Sequence, residues 1–179
     1  RADYGIYLPL FKEVASDPFF DFCIIAFGTH TSRHHGYTIQ NIVDDGFKVS
    51  HKVESLVLGD TPEAISSAIG LTVLKFSSIW SELADNTDLV LCLGDRYEMF
   101  AAVTAAIPFN IKVAHIHGGE TTLGAIDNYM RNCLTSISSY HFASSFNHAK
   151  KISELTGSSN NIYNVGALSL DNIKEIPLL

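Results

Sequence analysis

Cysteine, basic side chains and long apolar runs are all in short supply in this sequence, and each shortage removes a class of protein. Its 179 residues include three cysteines, Cys23, Cys92 and Cys133. They have no paired spacing, and two of them sit inside apolar runs. This excludes a disulfide framework or zinc ribbon and suits small core residues in a reducing, cytoplasmic compartment. Twelve Lys and Arg stand against nineteen Asp and Glu, for a net charge of −7. That balance argues against a nucleic-acid partner, which favours a basic face. It leaves room for a small anion held by helix N-termini and a few arginines. No apolar run approaches the about 18 residues of a membrane span, and no secretory leader pattern is present. The sequence also lacks a Gly-x-Gly-x-x-Gly, a Walker loop and a Gly-x-Ser-x-Gly elbow, which weighs against dinucleotide, nucleoside-triphosphate and serine-hydrolase chemistry. No internal repeat or low-complexity segment appears.

What is present is a chain 46% hydrophobic and 17% charged, enough for one domain with a real core. A helix is expected over residues 6–14, with Ile6, Leu10 and Val14 on one face. Residues 22–27 form an apolar, β-prone run stopped by Gly28. A polar loop follows to Tyr37, then a short helix over 38–45 and an alternating strand over 47–53. Asp60-Thr61-Pro62-Glu63 is a helix start, with a capping side chain, a first-turn proline and an early acid. That helix should run over 62–83 and pack through Ile65, Ile69, Val73, Phe76, Trp80 and Leu83. Strands are expected at 89–93, 111–116, 140–143 and 162–165, and helices at about 97–107, 125–138 and 147–155. This alternation predicts a mainly parallel, doubly wound α/β sheet.

The chemistry concentrates in residues 89–131. Two apolar strands end near acids, Asp95 and Glu120, at the edge where open parallel sheets build sites. Asp95 has two readings, a helix N-cap and a cleft carboxylate. His115 and His117, two apart on a strand, share a face. They read as metal ligands, with His30, His34 and His35 as candidates to complete the set, or as contacts to a substrate hydroxyl. Gly118 and Gly119 clear space for a ligand or simply make a turn. Asp127 and Arg131, i and i+4 on a helix, form a surface ion pair worth a few tenths of a kcal/mol, or a base and a substrate clamp. Three acids and an arginine at one edge suit proton transfer from carbon.

At these residues the sequence resembles the UDP-N-acetylglucosamine 2-epimerases. The resemblance rests on Gly94-Asp95-Arg96-Tyr97-Glu98, on Ala114-His115-Ile116-His117-Gly118-Gly119-Glu120 and on Gly124-Ala125-Ile126-Asp127 through Arg131. Arg1-Ala2-Asp3-Tyr4-Gly5, Gly28-Thr29-His30, Gly36-Tyr37-Thr38, Asp45-Gly46-Phe47, His141-Phe142 and Val165-Gly166 also fit. It implies the Rossmann-like N-terminal half of a glycosyltransferase-B-type fold over residues 1–173. A first strand would precede Arg1, residues 174–179 would begin a linker, and a C-terminal UDP-binding domain would follow. It further implies proton removal at carbon 2 of a UDP-sugar, loss of UDP and a glycal-like intermediate. Asp95, Glu120, Asp127 and Arg131 would be catalytic. Arg1 would be a phosphate-side contact, and His30, His115, His117, Gly118 and Gly119 substrate contacts. No metal or other cofactor is implied, and neither is a nucleic-acid or membrane partner. The whole protein would be a homo-oligomer, a dimer or tetramer.

In the non-hydrolysing branch a glutamate usually stands near the position of His117, so within this resemblance the histidine favours the hydrolysing branch. That branch hydrates the glycal and frees N-acetylmannosamine for sialic or nonulosonic acid synthesis. Asn128 and Asn132 depart from the acid and histidine that many members carry there. Alternatives are a hydrolysing enzyme for UDP-diacetylbacillosamine and a non-hydrolysing epimerase. From other classes, a His-x-His metal hydrolase and a non-catalytic nucleotide-sugar binding fragment also remain.

Overall fold

The computed structural model describes residues 3–122 and 126–174. The chain resolves into two compact units, one built from the residues up to Leu56 with those from Leu168 onward, the other from Val57–Ala167. The expectations for Arg1 and for residues 175–179 fall outside the described residues, as do Gly124 and Ala125 of the central motif.

In the first unit, α1 (Asp3–Ser16), β1 (Ile24–Phe27), α2 (Ile39–Asp44) and β2 (Val49–Val53) surround an apolar cluster. β1 and β2 pair in parallel, Ala26 opposite Lys52. Tyr4, Ile24, Ala26, Ile39 and Ile42 are its buried members, with Phe11, Phe22 and Phe47 packed against them. The buried side chains of α1 are Tyr4 and Tyr7. Ile6, Leu10 and Val14 are only half-buried. The helix turns its larger aromatic surface inward, because rings bury more area per residue. The Tyr4 hydroxyl donates to Asp45 Oδ2 at 2.6 Å and ties α1 to the end of α2. Two short 3-10 turns fill the loop after β1, from Gly28 to His35. A short helix, α7 (Asp171–Lys174), ends the described chain.

The second unit carries α3 (Pro62–Leu83), β3 (Val90–Leu93), α4 (Tyr97–Ala106), β4 (Val113–Ile116), α5 (Asp127–Ile137), β5 (Tyr140–Ala143), α6 (Phe146–Thr156) and β6 (Ile162–Asn164). Its sheet runs β3-β4-β5-β6, every pair parallel. The sheet therefore has one carboxyl edge, where all four strands end. All four residues of β4 are buried, as expected for a strand covered on both faces.

Helix α3 starts as its sequence signals require. The Thr61 side chain accepts from the Ala64 amide at 3.2 Å, and Pro62 occupies the first turn. Its buried seam is Ala68, Thr72, Phe76 and Trp80. Ile65, Ile69, Val73 and Leu83 are half-buried. The seam is set by α4, whose Ala101, Ala102, Ala105 and Ala106 let the two backbones approach. Small residues at 68 and 72 fit that approach where larger ones would not. The Trp80 indole N–H donates to the Ala102 carbonyl at 2.9 Å, giving the ring a structural place. Residues 62–86 contain an 18-residue stretch of mean hydropathy 1.2, long and apolar enough by length and composition alone to cross a membrane. Its buried seam packs against α4 within the unit.

Candidate active site

Three adjacent strand ends supply the site. β3 ends at Leu93 and Asp95 stands two residues beyond. β4 ends at Ile116 and its exit loop carries Glu120. β5 ends at Ala143 and Ser144 follows directly. Parallel pairing of these three strands puts all three residues at one edge. The helix after β4 adds Asp127 in its first turn and Arg131 one turn on.

Arg131 is the hub. It is buried at 6% exposure, and its guanidinium donates to Asp95 Oδ2 through Nη2 and reaches Glu120 Oε2 from Nη1 at 3.4 Å. A buried guanidinium needs such pairing, since an uncompensated charge there is strongly destabilising. Its Nε finds no acceptor among the described residues. The surface ion pair between Asp127 and Arg131 does not form: among the described residues the arginine's ion-pair partners are the two strand-end acids. Asp95 is not a helix cap either. The cap position of α4 is Arg96, without a capping side chain, and Arg96 instead grips the buried Glu98 with contacts of 3.2 and 2.7 Å.

Asp127 differs from its neighbours. Burial raises its pKa above the usual aspartate value, and the negative charge of Asp95 adds to the shift. Arg96 and Arg131 pull the other way. The surroundings of Asp127 thus favour keeping a proton more than those of a free aspartate do.

The histidines do not act as a pair. His115 is fully buried. Its Nε2 lies 2.7 Å from the Gly94 carbonyl and its Nδ1 lies 3.1 Å from the Thr135 hydroxyl. A carbonyl can only accept, so Nε2 carries the hydrogen and Nδ1 accepts from Thr135. Burial lowers its pKa to about 4 despite the Gly94 carbonyl, so the ring is neutral and acts as a brace between β3, β4 and α5. His117 lies past the end of β4 with φ +63°, a left-handed conformation rare for a residue with a side chain. The strand parity that would align the two rings is therefore lost. His117 Nδ1 lies 3.6 Å from Glu120 Oε1, and burial lowers its pKa while Glu120 opposes the shift. Among the described residues no three His, Cys, Asp or Glu side chains gather as a metal set. His30 belongs to the other unit, where its Nδ1 lies 2.8 Å from the Thr38 hydroxyl.

The two glycines answer to packing. A Cβ on Gly118 would sit 3.0 Å from His115 Nδ1 and 3.1 Å from Thr135 Oγ1. A Cβ on Gly119, at φ +75°, would sit 2.5 Å from the His148 carbonyl oxygen. The loop carrying Glu120 is thus pressed against α6. Asn128 closes the other side of that loop. Its amide accepts from the Thr122 N–H at 2.9 Å and donates to the Thr122 carbonyl, a two-way bond that an acid there could not complete.

Two site residues escaped the sequence reading. The Ser144 hydroxyl donates to Glu120 Oε1 at 2.5 Å, and Ser144 Oγ lies 2.9 Å from His148 Nδ1. The signal for Ser144 was its place directly after a buried parallel strand, the rule that picked out Asp95. Two hollows of this unit are about 360 Å³ of apolar groove along α4 and α5 and about 400 Å³ lined by Ser139, His141 and Asn161. Neither touches the carboxylates.

Known proteins resemble this chain along nearly its whole length. The family model described as UDP-N-acetylglucosamine 2-epimerase matches residues 12–177. A Legionella pneumophila protein named UDP-N,N'-diacetylbacillosamine 2-epimerase (hydrolyzing) is 32% identical over 98% of this chain and 46% of its own length. A Campylobacter jejuni protein named GDP/UDP-N,N'-diacetylbacillosamine 2-epimerase (hydrolyzing) is 31% identical over 100% of this chain and 46% of its own. The crystal structure of UDP-GlcNAc 2-epimerase from Neisseria meningitidis bound to UDP-GlcNAc superposes with a TM-score of 0.75. It is 18% identical and is covered to 47%, against 96% of this chain. The chain therefore spans about half the length of these relatives. The structural likeness shows the fold, a Rossmann-like α/β half of a glycosyltransferase-B-type architecture.

Proposed function

We propose a reaction for this chain from one premise: it belongs to the UDP-N-acetylglucosamine 2-epimerase family. The reaction is hydrolysing 2-epimerisation of a UDP-2-acetamido sugar, first of all UDP-N-acetylglucosamine. A base removes the proton on carbon 2, the carbon 1–oxygen bond breaks, and UDP leaves with that bonding pair. Water then adds to the glycal, hydroxyl to carbon 1 and a proton to the opposite face of carbon 2, freeing N-acetylmannosamine. Supply of that sugar to sialic or nonulosonic acid synthesis is part of the same reading.

The observation that carries it is the unequal treatment of three carboxyl groups at one sheet edge. Asp95 and Glu120 are committed to Arg131, while Asp127 stands apart with a raised pKa. A weakly acidic carbon proton needs a base of that kind. Asp127 is assigned as the base. Inversion also needs a donor on the other face of the ring, and Asp95 and Glu120 are the candidates in this chain. Residues 1–173 are then the first of two domains, the UDP contacts lie mainly in the second, and the whole protein is a cytoplasmic dimer or tetramer. UDP-N,N'-diacetylbacillosamine is the second substrate reading, favoured by the names of the Legionella and Campylobacter relatives.

Full-length protein incubated with each UDP-sugar, with NMR of the released sugar, decides between the two. Asp95→Asn and Glu120→Gln are expected to abolish UDP release while circular dichroism stays unchanged. Near-normal turnover in both variants would sink the assignment.

A further inference from the structure

We propose that Ser144, fixed by His148, is the positioning residue that orients the Glu120 carboxylate. The proposal rests on Glu120 belonging to the reaction site. The proton count is what makes the arrangement directional. Ser144 has one hydroxyl hydrogen, and it points at Glu120 Oε1 over 2.5 Å. The remaining 2.9 Å contact, to His148 Nδ1, can then only be an imidazole N–H donating to the serine oxygen. His148 is accordingly held with its hydrogen on Nδ1, and the chain runs His148 to Ser144 to Glu120.

Each oxygen of Glu120 has its own donor from a different element. Oε1 is held by Ser144 at the end of β5, and Oε2 by Arg131 of α5 at 3.4 Å. Two donors fix the plane of a carboxylate where one leaves it free to pivot. The serine contact is the shorter, and Arg131 is shared with Asp95. His117 Nδ1, at 3.6 Å from Oε1, is too far to substitute.

The backbone locks the same parts together. Ser145 caps α6 by accepting from the His148 amide at 3.3 Å, which sets where the imidazole begins. Gly119, one residue before Glu120, lies against the His148 carbonyl with no room for a Cβ. Glu120 and its positioning pair are therefore referenced to one turn of α6.

The test is kinetic and spectroscopic, on the full-length protein with UDP-N-acetylglucosamine and UDP-N,N'-diacetylbacillosamine. Ser144→Ala is expected to lower kcat about a hundredfold, the scale of a displaced catalytic group, with KM within about twofold. Ser144→Thr, which keeps the hydroxyl, is expected to recover most of the loss. Unchanged kcat in Ser144→Ala, or a threonine variant no better than alanine, overturns the proposal. Imidazole nitrogen NMR gives a reading independent of turnover. His148 should show a protonated Nδ1 in the wild type, and its nitrogen shifts should move in Ser144→Ala. A bare Nδ1 in the wild type overturns the proposal as well. If the wild type releases UDP from neither sugar, the functional reading fails, while the nitrogen spectra still decide the Ser144 contact.

Discussion

Burial brings the His115 imidazole from its ordinary value of 6.5 down to about 4, and stability must follow pH accordingly. Below 6.5 the unfolded chain takes up a proton at this ring that the folded chain refuses. The unfolded state then binds more protons, so stability falls as pH drops from 6.5 towards about 4. His117 and His141 are lowered by burial too and act with the same sign. The urea midpoint is expected to fall steadily between pH 7 and pH 4.5, more shallowly in His115→Gln. An equally steep fall in that variant would remove His115 as the cause. Asp127 is shifted the opposite way for a different consequence. With Asp127 as the proposed base, its raised pKa is expected to place the acidic limb of kcat/KM of the full-length protein above the usual aspartate range. Arg96→Gln removes a cation that lowers it, so the limb should move to higher pH. At this scale the acids were readable, because a residue just past a buried strand lands at the sheet edge whatever else the chain does. The roles of His115, Ser144 and His148 were not, since each depends on which strand lies beside β4.

Helix α3 shows what local sequence conveys about an element and what it leaves out. Its two ends lie where the Thr61 cap, Pro62 and the apolar repeat placed them. Its buried face lies partly elsewhere, on Ala68 and Thr72, because the alanines of α4 decide how near the two helices come. Periodicity marks apolar residues and cannot register a small residue buried by close approach. Phe76, 1% exposed in that seam, should lose about 3 to 5 kcal/mol on change to alanine, read as a drop in the urea midpoint. Gly119→Ala tests the β4–α5 loop against α6. A methyl 2.5 Å from the His148 carbonyl, on a backbone at φ +75°, should destabilise by at least about 2 kcal/mol. Wild-type stability in that variant would mean the loop and α6 are not in contact.

For the whole molecule, alternating strands and helices were enough to predict a parallel α/β chain, and that is what is observed. The division into two compact units was not readable, because no Pro-, Gly- or Ser-rich linker marks it around Leu56 or Leu168. The chain spans about half the length of its relatives, and the proposed function assigns most of the UDP contacts to a second domain. Purified residues 1–179 are therefore expected to bind a UDP-sugar weakly in calorimetry and to release no UDP. Measurable turnover by this chain alone would contradict that division of labour. The cysteines, finally, give the fold a chemical clock. Cys23 and Cys133 are exposed, whereas Cys92, in the middle of β3, is fully buried with its thiol pushed up to about 12 by burial. A thiol reagent should consume two equivalents quickly and the third only as fast as β3 opens to solvent. The slow phase then times the loss of the strand that leads into Asp95, without substrate.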